Sequence, residues 1–340
     1  MSRSLRTVVA LAAASAAVLS IAGCSGSKSA SDSITLYSGQ HEQTVTALVK
    51  DFQQRTGVTV NVRSGDEAEL ANQILQEGDA SPADAYFAEN PPALTLLEGK
   101  NKLAKVDGAT LSAVPAEVSS DKGDWVGVSA RSAAFVYNTG KVQAVQAPTS
   151  VKGLAGPAWK GRLGVAPSET DFAPIVSRMI AASGVDATRT WLQGLKDNGK
   201  VYQSNEDLIA AVDRGEVEGG VVDHYYWYRL REEKGAANIH SALSYFAPGD
   251  PGALVDISGA AVLASSKHQA AAQKWLAYLV SRPAQQIIAT SESFEYPLVS
   301  GVSDARLTRS LQDSGPIAKA SDLGDGKQAI ELMQETGLLS

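Results

Sequence analysis

Three tyrosines and a histidine crowd the stretch Val221-Val222-Asp223-His224-Tyr225-Tyr226-Trp227-Tyr228-Arg229. A phenol oxygen is a hard donor, but with a pKa of about 10 it ionises near neutral pH only beside strong positive charge. Adjacent aromatics also serve as plain packing, because rings supply much of core burial. The setting favours a ligand. Residues 219–222 read as a short apolar strand and 229–234 as a charged helix, so the run fills the first turn after a strand end. Open α/β sheets take their ligands there, in the crevice beyond the carboxyl ends of the strands.

Two other strand exits carry unusual polar residues: His41-Glu42 and Glu89. One imidazole, one carboxylate and two phenolates form a hard set with about three negative charges. That set suits a highly charged hard cation, and ferric iron would match it. Zinc and copper would draw more histidine or cysteine. The chain has four histidines, none closely spaced with another; His240 and His268 read as solvated or structural. There is no G-x-S-x-G, no Walker loop and no acid pair with catalytic spacing.

The elements that must position these residues alternate. Residues 34–37 read as a buried strand, and Val45, Leu48, Val49 and Phe52 mark a helix that Gly57 stops. A strand at 58–62, a helix at 66–77, a strand at 83–87 and a helix opened by Pro91-Pro92 follow. This pattern predicts a parallel sheet with helices on both faces. Residues 125–138 form one long strand-like segment able to cross between two lobes. A second α/β lobe follows, with strands at 163–166 and 219–222 and a helix start at Ser204-Asn205. Residues 256–263 read as a strand returning to the first lobe, and 267–280 as an amphipathic helix.

Length, 340 residues, allows one large domain or two ordinary ones. With 44% hydrophobic and 20% charged residues the chain is globular, not disordered. Net charge is −7 and there is no arginine-rich run, which argues against nucleic-acid binding. At the N-terminus, Arg3 and Arg6 precede an apolar, alanine-rich run at 8–21, too short for a membrane span. It ends in Ile21-Ala22-Gly23-Cys24 and a Ser/Gly-rich stretch. Cys24 is the one cysteine of the chain, so it has no partner for an internal disulfide, and its place matches a lipobox. The expectation is a signal peptide at 1–23, lipidation of Cys24, a flexible tether at 24–33 and a body anchored to the membrane from outside the cytoplasm.

The segments Leu36-Tyr37-Ser38-Gly39-Gln40-His41-Glu42, Pro82-Ala83-Asp84-Ala85-Tyr86-Phe87-Ala88-Glu89 and Asp223-His224-Tyr225-Tyr226-Trp227 together resemble the bacterial ferric-ion-binding proteins, receptors of iron(III) ABC importers. The resemblance runs from about residue 34 to the C-terminus. It implies a two-lobe periplasmic-binding-protein fold of type II, an α/β class, with a cleft between lobes joined by crossing strands. It places lobe 1 at 34–131 with a return segment 256–306, and lobe 2 at 132–255 with the C-terminal helices 307–340. The family's iron ligands fall on His41, Glu89, Tyr225 and Tyr226. A bound anion such as phosphate or carbonate often completes the iron in that family, and Ser168, Thr170 and Asn205 occupy its anion pocket. Glu169, Asp171 and Asp223 depart from that pattern, since carboxylates repel an anion, so water or a protein carboxylate can take its place. Arg131, on the crossing segment, reads equally as an anion holder or as the salt-bridge partner of an acid such as Glu89.

The implied function is capture without catalysis: a monomeric receptor closes on iron(III) and docks on an ABC permease. Two other readings stay open. The same scaffold can bind a small organic ligand, such as a polyamine, thiamine or a phosphonate, stacked on Trp125, Tyr226 and Trp227. An extracellular metallohydrolase would need a general base, for which His224 is the nearby candidate.

Overall fold

The computed structural model describes residues 33–339. The expected signal segment, Cys24 and the tether up to residue 32 lie outside the described residues. Ser33, assigned to the tether above, already belongs to the first strand.

Ten strands form the framework: β1 (Ser33–Ser38), β2 (Thr59–Ser64), β3 (Ala85–Ala88), β4 (Val126–Asn138), β5 (Leu163–Val165), β6 (Gly199–Val201), β7 (Gly219–Asp223), β8 (Ser241–Ser244), β9 (Val255–Val262) and β10 (Tyr296–Pro297). They run in the order β2-β1-β3-β9-β4-β7-β5-β6, with β8 and β10 also on β4. The parallel sheet expected for the first lobe is only half of it. β1 is parallel to β2 and β3, but β9 runs antiparallel to both β3 and β4. The sheet is therefore mixed, and the return strand completes it.

β4 explains the two-lobe form. All 13 of its residues are buried, as expected for a strand covered on both faces. Its first half pairs with β9, from Val126↔Ala260 to Ser132↔Val255. Its second half pairs with β7, from Ala133↔Asp223 to Tyr137↔Gly219, and with β8. One continuous strand thus serves two sheets. The first lobe packs around Leu36, Leu48, Phe52, Phe87, Val128 and Trp275. The second packs around Phe135, Leu163, Val176, Leu192, Leu332 and Met333. A smaller cluster joins Val212 and Val222 to Tyr225, Tyr226 and Phe294.

Sequence-level helices are present with adjusted ends. The helix read at 267–280 spans Gln269–Leu279. The charged helix after β7 begins earlier than expected, at His224, so Tyr225 and Tyr226 lie in its first turn.

Candidate metal centre

The parallel strands of each lobe aim their carboxyl ends at a common cleft. His41 follows β1 and stands at the N-cap of helix Glu42–Thr56. Glu89 follows β3 directly. Tyr225 and Tyr226 follow β7. These four side chains, scattered over 186 positions of sequence, meet. His41 Nε2 lies 3.4 Å from Glu89 Oε1, and Tyr225 donates its phenol hydrogen bond to the same oxygen at 3.3 Å. The His41 and Tyr225 rings meet edge-on at 5.1 Å, and the two tyrosine rings stack at 4.1 Å.

Gly39 makes the approach possible on the first-lobe side. A Cβ there would stand 2.5 Å from Glu67 Cβ and 2.8 Å from Glu67 Cα. Only glycine lets the β1 exit press against the start of helix Glu67–Glu77 and carry His41 inward.

The electrostatics suit a strongly charged guest. Burial and then the Glu89 charge push the Tyr225 phenol well above its ordinary pKa; burial and then Asp171 do the same to Tyr226. Both phenols are neutral until a cation arrives. Burial pulls the His41 imidazole down, so it stays neutral with a lone pair to offer. Its Nε2 is buried without a hydrogen-bond partner. A neutral imidazole with a free lone pair, a carboxylate, and two phenols that give up their protons to a strongly charged ion make a hard donor set for such an ion.

Behind these groups lies one buried cation. Arg131, with no exposed surface, sits 2.7 Å from Glu295 Oε1, 3.3 Å from Asp223 Oδ2 and 3.4 Å from Glu89 Oε1. It also donates to Asn90 Oδ1 at 3.0 Å. Burial alone would disfavour its charge; Glu89, Glu295 and Asp223 outweigh that and hold the guanidinium charged. Of the two roles read from sequence, the ion-paired one is the geometry observed.

The residues assigned to an anion are otherwise engaged. Ser168 is exposed and donates to the Gln203 carbonyl at 3.1 Å. Thr170 Oγ1 accepts from Asn90 Nδ2 at 3.4 Å. The Asn205 amide donates to both oxygens of Asp171, at 3.0 and 2.9 Å. The aromatics of the organic-ligand reading do not line one surface: Trp125 is 2% exposed in the first core, and the Trp227 indole donates to the Ser241 carbonyl. His224 is a poor base. Burial pulls its pKa down to about 3, its Nδ1 accepts from Ser132 N, and its ring stacks on Tyr296 at 4.6 Å.

The model of the bacterial extracellular solute-binding protein family matches residues 47–314. The chain belongs to that family. It is 40% identical over 312 residues to the Fe(3+)-binding periplasmic protein of Serratia marcescens, covering 92% of each chain. It is 36% identical over 309 residues to the major ferric iron-binding protein of Neisseria meningitidis serogroup B, covering 90% of this chain and 93% of the relative. Among solved structures, iron-bound HitA from Pseudomonas aeruginosa superposes with a TM-score of 0.85 at 38% identity, covering 90% of this chain and 99% of the other.

For this solute-binding protein, sequence reasoning missed several cleft residues. Glu295 offers a ligand atom within 4.8 Å of those of His41 and Glu89. Its oxygens already accept from Gln40 Nε2, Ser129 Oγ and Arg131, so it orients Arg131 and the His41 turn. Phe294, at φ +54°, sets Glu295 inward from a backbone conformation unusual for a bulky residue. Arg229 covers the Tyr225 ring at 4.6 Å and the Tyr226 ring at 5.9 Å. Its signal was present, since it lies four residues beyond Tyr225 on one helix face. Glu295 gave none; it follows a loop far along the chain.

Proposed function

We propose that this protein is an extracytoplasmic iron(III) receptor that captures ferric iron in its interlobe cleft and delivers it to an ABC importer. One observation carries the reading: the His41 imidazole lies 3.4 Å from Glu89 Oε1, Tyr225 donates to that same oxygen at 3.3 Å, and the Tyr226 ring stacks on Tyr225 at 4.1 Å. Tyr225 and Tyr226 receive the metal on the second lobe. His41 and Glu89 close on it from the first, which makes capture a ligand-driven population shift between open and closed forms. The moving units are 34–131 with 256–306, and 132–255 with 307–340. The names of the Serratia and Neisseria relatives, an Fe(3+)-binding periplasmic protein and a major ferric iron-binding protein, and the iron-bound state of HitA support the cargo.

The receptor works as a monomer, without catalysis, tethered by lipid on Cys24. No helix among the described residues is long and apolar enough to cross a membrane. Phenolate bound to ferric iron gives a charge-transfer colour. Titration with ferric iron should raise a visible band that saturates at one ion per chain. The double variant Tyr225→Phe, Tyr226→Phe should lack it. An unchanged band in that variant, or no band in the parent protein, refutes the assignment.

A further inference from the structure

The chain around Phe294 is built into the first lobe, but its ring is not. β10 pairs with the first half of β4 through Tyr296↔Ala130, and Ile288, Tyr296 and Leu298 join the core that holds Leu36 and Trp275. The Phe294 ring, 2% exposed, turns away from that core and joins the second-lobe cluster of Val212, Val222 and Tyr228. There it stacks on the Tyr228 ring at 5.8 Å, 20° from parallel, and the Arg306 guanidinium covers it at 4.1 Å. A hydrogen bond reinforces the grip on helix His224–Lys234: Arg229 Nε donates to the Glu292 carbonyl at 2.9 Å. The reach strains the backbone. Phe294 stands at φ +54°, a conformation that bulky residues avoid and keep only where their surroundings hold them in it. The second-lobe cluster holds it on one side. On the other, the next residue is fixed, because the Glu295 carboxylate accepts from Gln40, Ser129 and Arg131.

We propose that Phe294 is the latch of lobe closure: its ring occupies the second lobe in the closed form and leaves it on opening, when residue 294 relaxes to an ordinary backbone conformation. The proposal rests on the capture reading above, in which the lobes close on iron(III). Two opposed effects make the latch responsive. Burial of the ring favours the closed form, and release of the left-handed backbone favours the open one. The two forms then differ little in free energy, and a bound ion decides between them.

The test uses the mature protein with para-fluorophenylalanine at position 294, which leaves the ring in place. Its fluorine resonance is recorded without metal and with gallium(III), a diamagnetic trivalent ion, while small-angle scattering gives the radius of gyration of the same samples. Closing on the ion should shrink the radius and move the resonance, and the difference between light and heavy water should fall as the ring leaves solvent. Release of ferric iron to excess EDTA is timed in two variants. Phe294→Gly takes a positive φ freely but has no ring, and it should release iron about tenfold faster than the parent or more. Phe294→Leu keeps apolar bulk without the stack on Tyr228 and should fall between the two. The latch is overturned if the radius shrinks while the fluorine resonance stays where it was, or if both variants release iron at the parent rate. The fluorine measurement decides the matter even where a variant does not fold. A parent whose radius changes with neither gallium(III) nor iron(III) instead refutes the capture reading.

Discussion

Replacing Arg131 by methionine keeps much of its length and removes its charge, and the structure sets the cost. The guanidinium has no exposed surface and meets three carboxylates, those of Glu295, Asp223 and Glu89. Removing one partner of a buried ion pair costs about 3–5 kcal/mol, because the other charge is left uncompensated. Glu89 is 15% exposed on its side chain, so water can take over part of the role; Glu295 at 1% has no such relief. Asp223, already pushed up by burial and by Asp171, can shed its charge by binding a proton. The expected loss is therefore one full buried pair, about 3–5 kcal/mol, and not three. Urea unfolding of the metal-free protein at neutral pH measures it. Arg131→Lys restores charge without the planar fork and should fall between the two. A loss below about 1 kcal/mol would refute the view of Arg131 as the charge on which the cleft acids depend.

Other perturbations follow from the same geometry. Gly39→Ala should cost about 1–3 kcal/mol by overpacking against the Glu67 backbone, and it should weaken iron binding by displacing His41; thermal melts and iron titration read both. Asp213 accepts from Lys234 Nζ at 2.7 Å, His240 N at 2.7 Å and Ser241 Oγ at 2.8 Å. Burial opposes its ionisation, but these donors prevail and hold its pKa below the ordinary value. Its contribution is complete above the unfolded carboxylate pKa and fades as pH falls through the lower folded one. Asp213→Asn should therefore cost about 1–3 kcal/mol at neutral pH, with a gap that closes in acid; a gap constant across pH contradicts this. Iron loading should release at least two protons, one from each buried phenol, and Tyr225→Phe should release one fewer than the parent; a pH-stat titration showing no release contradicts the neutral-phenol state.

Much of the site was legible because its donors sit where local rules place ligands. His41, Glu89 and the tyrosine pair each follow a strand whose apolar run is plain, and the strand–turn–helix alternation puts those exits on one edge. Crossing β4 was also visible, since 126–138 is long and nearly free of charge. Antiparallel β9 was not, because a strand's direction in a sheet depends on a partner more than a hundred residues away and leaves no local trace. The same holds for Glu295, whose hydrogen-bond partners Gln40, Ser129 and Arg131 are 255, 166 and 164 residues distant.

The least legible feature is the burial of so many acids. In sequence, Glu67, Asp171, Asp223 and Asp256 look like ordinary surface residues. In the fold, burial raises every one, Glu67 to about 8 and Asp171 and Asp256 to about 7. Asp256 faces Arg131 across β4 and β9, yet its Oδ2 has no hydrogen bond. A core selected for stability alone would not hold four strained carboxylates around one arginine. Their presence makes sense as latent negative charge, held down by burial until a cation arrives. The metal-free cleft keeps them protonated or leaning on Arg131, and a trivalent ion relieves that cost. Part of the affinity for iron is then built into the instability of the metal-free protein, and iron should stabilise the chain more than its few direct ligands alone would account for.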